Sequence, residues 1–260
     1  MSTIRGLAFT LFLLLVCSNF SFAAELTTKR EKRPITVGAA VIWKDEIYDG
    51  FSDNDKYSPV PIVFFEGEKF FFRLDTAGWK LLSTDAWEIA PILEFGDEGY
   101  DSSSSDTLAG MNDRDPWVGA GGHIIFNPNA FGAKVAATGD ITDESNGGRV
   151  VGEGFYDNQV GNFSLNTNAG VMWWSEGTSD YYYGVETSEA ILGRPAYSAG
   201  TTTNFFLGGS AIYQRENSPW MLLGFVRHTW FDGDIDDSPI TNDDKQFTVG
   251  AGIAYTFRRK

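Results

Sequence analysis

Along much of the chain, apolar and polar side chains alternate one by one in stretches of roughly ten residues, the length a strand needs to cross a bilayer. The clearest stretch runs from Asn162 to Trp174. Phe163, Leu165, Ala169, Val171 and Trp173 share one face, and Asn162, Ser164, Asn166, Asn168 and Gly170 the other. The last stretch repeats the pattern, with Phe247, Val249, Ala251, Ile253, Tyr255 and Phe257 alternating with Gln246, Thr248, Gly250, Gly252, Ala254 and Thr256. A period of two is the mark of a β-strand with unlike faces. Read directly, the segments are 34–43, 58–66, 69–82, 85–96, 116–126, 130–141, 148–157, 162–174, 201–214, 219–231 and 245–257.

Alternation is common to soluble sandwiches and membrane barrels, and three features favour the barrel. Aromatic residues gather at segment ends, as in Trp173-Trp174, Trp230-Phe231 and Tyr255/Phe257, where interfacial girdles sit. The polar faces are small and rich in Gly, Ser, Asn and Thr, which suits a barrel interior. Connections also alternate in length. Long acidic ones (44–57, 97–115, 175–199, 232–244) take turns with short ones at 66–68, 127–129, 158–161 and 216–219. Long external loops and short periplasmic turns are the habit of outer-membrane barrels, whose strand number in bacteria is even. Splitting segment 69–82 at Asp75-Thr76-Ala77-Gly78 makes the count even and returns the loop at 97–115 to the external side. The expectation is an all-β, antiparallel up-and-down transmembrane barrel of twelve strands, with ten as the alternative.

The first residues set the compartment. One positive charge at Arg5, an apolar stretch from Leu7 to Phe20 and the small residues around Ala23 predict a secretory signal peptide over 1–23. Residues 24–33 read as a charged periplasmic tail and 34–260 as one barrel domain. The single cysteine, Cys17, lies inside the apolar stretch after Val16, which excludes a lipoprotein site and leaves the mature chain without disulfides. Removing Arg5 leaves 19 basic against 35 acidic residues, a net charge of −16, which excludes nucleic-acid binding.

Candidate chemistry is sparse. The two histidines, His123 and His228, fall within strands; His228 precedes Asp232 and Asp234, the one place where an Asp/His hydrolase is conceivable, but a lumen or girdle histidine explains both. No nucleophile elbow, zinc-type histidine motif or phosphate-binding glycine loop is present, so the chain reads as a non-enzyme without a cofactor. Asp232, Asp234, Asp236 and Asp237 have the spacing of a weak Ca²⁺ loop, against a plain solvated acidic loop. Lys134 and Glu153 either line a channel or form an ion pair that fills the interior.

Several blocks, taken in order, carry a resemblance: Leu108-Ala109-Gly110-Met111 with Asp113, Tyr182-Tyr183-Gly184-Val185 before a short helix-like segment from Ser188 to Leu192, Ala196-Tyr197-Ser198-Ala199-Gly200, and Asp237-Ser238-Pro239-Ile240 ahead of the last glycine-rich strand. They resemble the MltA-interacting protein (MipA)/OmpV family of outer-membrane proteins. The chain differs from that pattern at Ala109, where relatives carry Arg, and in Arg258-Arg259-Lys260 after Phe257, where they end on the aromatic. The resemblance implies a location in the outer membrane, contact with its lipid and lipopolysaccharide, and a scaffold role that joins a peptidoglycan hydrolase to a synthase. A narrow pore for small solutes is the alternative, and an outer-membrane enzyme the remote one. In such proteins the last strand, carrying Phe247 to Phe257, is what the assembly machinery reads.

Overall fold

The computed structural model describes residues 35–51, 56–96 and 98–257. The expected signal peptide, the tail at 24–33 and Arg258-Arg259-Lys260 lie outside the described residues. Thirteen strands form one antiparallel sheet: β1 (Ile35–Lys44), β2 (Tyr57–Glu66), β3 (Phe70–Arg73), β4 (Thr76–Trp79), β5 (Leu82–Ser83), β6 (Trp87–Phe95), β7 (Val118–Phe126), β8 (Phe131–Asp140), β9 (Gly148–Val160), β10 (Phe163–Trp174), β11 (Thr202–Tyr213), β12 (Trp220–Trp230) and β13 (Lys245–Phe257). Two short helices, α1 (Glu176–Tyr183) and α2 (Gly233–Asp236), lie in the external loops.

Hydrocarbon offers no partner to a backbone amide, so a sheet in a membrane must close on itself. Here β1 pairs with β13 from Ile35↔Phe257 to Lys44↔Thr248, and β4 pairs with β6 through Thr76↔Glu94 and Gly78↔Ile92. β5 continues the course of β4 along β6, with Leu82 and Ser83 opposite Ile89 and Glu88. The result is a closed barrel of twelve strands with one short extra piece.

The period-two pattern separates lipid from interior as expected. On β13, Phe247, Ile253 and Phe257 are exposed while Ala254 and Thr256 are buried. At the periplasmic end, cross-strand aromatic pairs circle the wall: Phe65 and Phe70, Trp87 and Phe126, Phe131 and Tyr156, Phe163 and Tyr213, Trp220 and Tyr255. Trp43, Phe247, His228 and Trp230 form part of the external girdle. Two aromatics expected there are elsewhere. Trp174 turns inward and is buried, and Phe231 packs under the external loops.

Two local expectations are corrected. The tip of the short hairpin is Leu74-Asp75, not 75–78, and Thr76 to Gly78 belong to β4. Gly78 is needed beneath the ring of Phe71, which lies 2.3 Å from where a Cβ would stand, and the left-handed turn position falls instead to Leu74 at φ 56°. The helix near Tyr182 is α1, which ends on Tyr182 and Tyr183 of that block, whereas the segment expected to be helix-like from 188 to 192 has turns at 187–189 and 192–193, with Ile191 bridged to Arg194.

Candidate functional site

The interior of the barrel has two unlike halves. Ala40, Ile42, Val60, Ile62, Phe64, Leu74, Ile212, Met221, Leu223, Phe225 and Ala254 form one apolar cluster on β1, β2, β11, β12, β13 and the hairpin tip. Their rings fit because glycine stands opposite them. Phe225 faces Gly250, and the same cross-strand arrangement recurs for Phe71 with Gly78, Phe155 with Gly132 and Phe206 with Gly170. A Cβ at any of these glycines would lie 2.2–2.5 Å from the facing ring. The rings lie across the wall and fill the lumen.

The other half, on β6 to β9 and the β3–β4 hairpin with the end of β2, is charged and paired. Glu94 and Glu98 both hold Arg149, at 2.8 and 3.1 Å, and Thr138 donates to Glu94 at 2.7 Å. Nearer the periplasm, Arg73 binds Glu66 at 3.0 Å and Glu88 at 2.7 Å, Lys80 binds Glu66, and the Nε2 of His123 meets Glu88 at 2.9 Å. Phe71 lies inside this cluster, stacked on His123 at 5.6 Å with the Arg73 guanidinium 4.1 Å from its centroid. Lys134 and Glu153 pair across β8 and β9 at 3.6 Å, with the Glu153 side chain only 1% exposed. The ion-pair reading of these two residues therefore holds. Burying charges is tolerable only when they are paired, and each of these charges has an opposite partner.

The external mouth is closed by a dome. Ile47, Tyr48, Tyr100, Leu108, Met111, Trp117, Tyr182, Tyr183, Val185, Ile235 and Ile240 form a common core with Trp174 and Phe206 of the wall. Tyr48 meets Tyr100 edge-on at 4.8 Å and stacks on Tyr183 at 5.6 Å. Burial raises the Tyr48 and Tyr182 phenols above their ordinary range and pushes Tyr100 up to about 12, so the dome is uncharged at its centre. A latch joins the second long loop to the third. Glu189 accepts from the Asn112 amide at 2.8 Å, the Glu186 amide at 3.0 Å and Arg114 at 2.9 Å, while Arg194 donates to the carbonyls of Ala109 and Glu189 at 3.2 and 2.8 Å. Burial by itself would raise the Glu189 carboxyl, but these donors hold it below the ordinary glutamate value.

The sequence-derived candidates fall in three places. His123 is a lumen residue of the charged half, and His228 faces outward, 4.3 Å from Trp230. Asp232 and Asp234 serve the loop itself: Asp232 accepts from the amides of Thr203 at 2.9 Å and Asp234 at 3.3 Å, and Asp234 from that of Gly200 at 3.1 Å. Asp236 and Asp237 sit in and just after α2, and among the described residues no group of three His, Cys, Asp or Glu is placed to hold a metal. Phe247, Val249, Ala251, Ile253, Tyr255 and Phe257 share the lipid-facing side of β13. Sequence reasoning missed the Arg73 and Arg149 clusters and the dome core, because their members come from distant strands and loops with no shared local motif.

Comparison with known proteins gives the chain a family. The family model described as MltA-interacting protein MipA matches residues 37–257. The chain is 27% identical to the putative outer membrane protein YiaT of Escherichia coli (strain K12), over 91% of this chain and 96% of that one. It is 28% identical to the MltA-interacting protein of the same strain, over 85% and 90%, and 28% identical to outer membrane protein OmpV of Vibrio cholerae serotype O1, over 80% and 82%. Among solved structures it is similar to an outer membrane channel from Pseudomonas putida F1, with TM-score 0.44 and 14% identity over 88% of this chain and 97% of that one. The matched family is named for an interacting protein and not for an enzyme. With a model match across nearly the whole barrel, the chain belongs to the MipA family of outer-membrane β-barrel proteins.

Proposed function

We propose that this protein is an outer-membrane scaffold that holds a peptidoglycan-remodelling enzyme, of the lytic transglycosylase class, against the inner surface of the outer membrane. The carrying observation is the filled interior. Phe71, His123, Glu153, Phe155, Phe206 and Phe225 are buried within the barrel, and Trp117, Trp174 and Tyr182 are buried beneath the external dome. A barrel packed in this way has its outer faces left for work, and the relative named MltA-interacting protein supports a cell-wall partner. The short periplasmic turns and the segment 24–33 supply the docking face. Pull-down of a purified lytic transglycosylase by the refolded barrel tests the reading. Saturable capture is the expected result, reduced in a chain lacking 25–33; no capture by the full mature chain overturns it.

The charged half of the interior favours a second reading, a narrow solute pore along β6 to β9. Planar-bilayer recordings separate the two, since the scaffold reading expects no steps of conductance and the pore reading requires them.

A further inference from the structure

The wall is incomplete on one side of the external leaflet. Among the described residues, β3 pairs with β2 only at Phe64, Phe65 and Glu66. The hairpin of β3 and β4 therefore reaches only to the level of Val63, whose carbonyl accepts from the Leu74 amide at 3.3 Å. Above it, β2 continues from Ile62 up to Tyr57 with β1 on one side and no strand pairing on the other. Tyr57 stands opposite Trp43, a residue of the external girdle, so this open edge lies between the girdle and the hairpin tip, at the depth of hydrocarbon.

The sequence has prepared this edge. Backbone groups of a strand point alternately to its two sides. The Lys44 amide donates to the Lys56 carbonyl at 2.9 Å, so even-numbered residues of β2 face β1; the Val63 carbonyl faces the hairpin, so odd-numbered residues face the opening. Pro59 and Pro61 are odd-numbered, and their nitrogens carry no hydrogen. Two of the four amides that would otherwise point into the opening are thereby removed, leaving those of Tyr57 and Val63. The remaining carbonyls tolerate an unpaired state better than amides do. Such an edge is poor for strand addition, which needs donors at alternate positions.

Apolar groups border the opening on both sides of the wall. Val60, Ile62, Phe64 and Leu74 lie inside, in the apolar half, and Tyr57, Pro59 and Val63 are exposed outside. The opening is roofed where the Thr107 hydroxyl donates to Asp49 at 2.8 Å and the Ser105 hydroxyl to the Asp49 carbonyl. At its upper end Lys56 is paired with Asp45 at 3.3 Å.

We propose that this seam binds one acyl chain of the lipid A part of lipopolysaccharide. The chain lies along the proline edge of β2 above Leu74. A hydrocarbon chain asks for no hydrogen bond, which is the one kind of neighbour an edge stripped of donors favours at this depth. Lipid A is the acyl-bearing lipid of the leaflet in which the seam lies.

The test is native mass spectrometry of the full mature protein extracted from outer membranes in mild detergent, beside the double variant Pro59→Val/Pro61→Val. The wild type is expected to retain one lipid A adduct. The variant, with two amides restored to the seam, is expected to lose it by at least about tenfold, because an amide left unpaired in hydrocarbon is costly. Absence of the adduct from the wild type, equal retention by the variant, or retention of phospholipid alone would overturn the proposal. Hydrogen exchange of the wild type needs no variant. Tyr57 and Val63 amides should exchange at least about tenfold more slowly in vesicles containing lipopolysaccharide than in phosphatidylcholine vesicles, because an acyl chain over the seam shuts out water. Equal rates would refute it.

Discussion

The two halves of the barrel interior are filled by different physics. On β1, β2, β12 and β13, aromatic and branched side chains lie over glycine and alanine, and the interaction is non-directional, set by area and shape. On β6 to β9 and the β3–β4 hairpin beside them, Arg149, Arg73 and Lys134 each meet buried or half-buried carboxylates, and the interaction is directional and all-or-none. The comparison teaches that a barrel lumen can be filled in either way, but that the two fillings fail differently. An apolar filling loses stability in proportion to the volume removed. A charged filling collapses when one partner goes, because the survivor is left desolvated.

The largest effect should therefore come from the charged half. Arg149→Ala strands Glu94 and Glu98, and a loss of about 3–5 kcal/mol is expected on breaking a buried pair by removing one partner. Urea unfolding of the barrel in lipid vesicles measures it. Arg149→Met combined with Glu94→Gln should recover part of the loss, since it neutralises the more buried of the two stranded carboxylates and leaves only Glu98 charged. If the single and double variants were equally unstable, pairing would not be what holds this half together.

Next in size is the apolar half. Phe225→Ala removes a ring whose relative exposure is 4%, and the expected cost is about 3–4 kcal/mol from lost burial and the cavity left behind. Gly250→Ala alone should cost about 1–3 kcal/mol, because its Cβ would stand 2.3 Å from that ring. Together the two should cost clearly less than their sum, the alanine methyl entering the space the ring vacated. Strict additivity would show that ring and glycine do not share one site.

The same contrast explains what was legible in the sequence. The strands of the barrel were, because the alternation of Phe163 to Trp173 and of Phe247 to Phe257 is imposed residue by residue by lipid on one face. The Glu94 to Arg149 contact was not. Those residues are 55 positions apart and meet across β7 and β8. Their pairing is a product of barrel closure and register, which no local pattern encodes. The dome was hidden for a related reason. Tyr48, Tyr100 and Tyr182 lie in loops whose acidic composition suggests solvation, and only the folded mouth brings their rings together. Gly78 misled in the opposite direction, since a glycine beside Asp75 suggests a turn when its role is to receive Phe71.

A smaller effect should separate the dome from the barrel beneath it. The Glu189 carboxyl is held below its ordinary value, so its contribution is present above the unfolded-state pKa and is lost as pH falls through the lower folded one. Acidification below about pH 4, the ordinary glutamate range, should begin to loosen the latch between the loops. Limited proteolysis should then cut within 184–201 while the strands stay protected. Glu189→Gln, which removes the charge facing Arg114 and turns one of the two acceptor oxygens into a donor, should cost about 1–2 kcal/mol and flatten this pH dependence. Cleavage that stays pH-independent in the wild type would remove Glu189 from the latch.

The smallest effect distinguishes a loop built on its carboxylates from one that awaits a cation. Asp232 caps α2 by accepting from the Asp234 amide and also takes the Thr203 amide. Asp232→Ala should cost about 1 kcal/mol, the usual worth of a helix cap. If the carboxylate oxygens are spent on these amides, millimolar Ca²⁺ should shift the unfolding midpoint of wild type and variant equally. A calcium-dependent rise confined to the wild type would mean that the loop rearranges to free its carboxylates for a cation, and that the hydrogen bonds around Asp232 and Asp234 describe only one of its states.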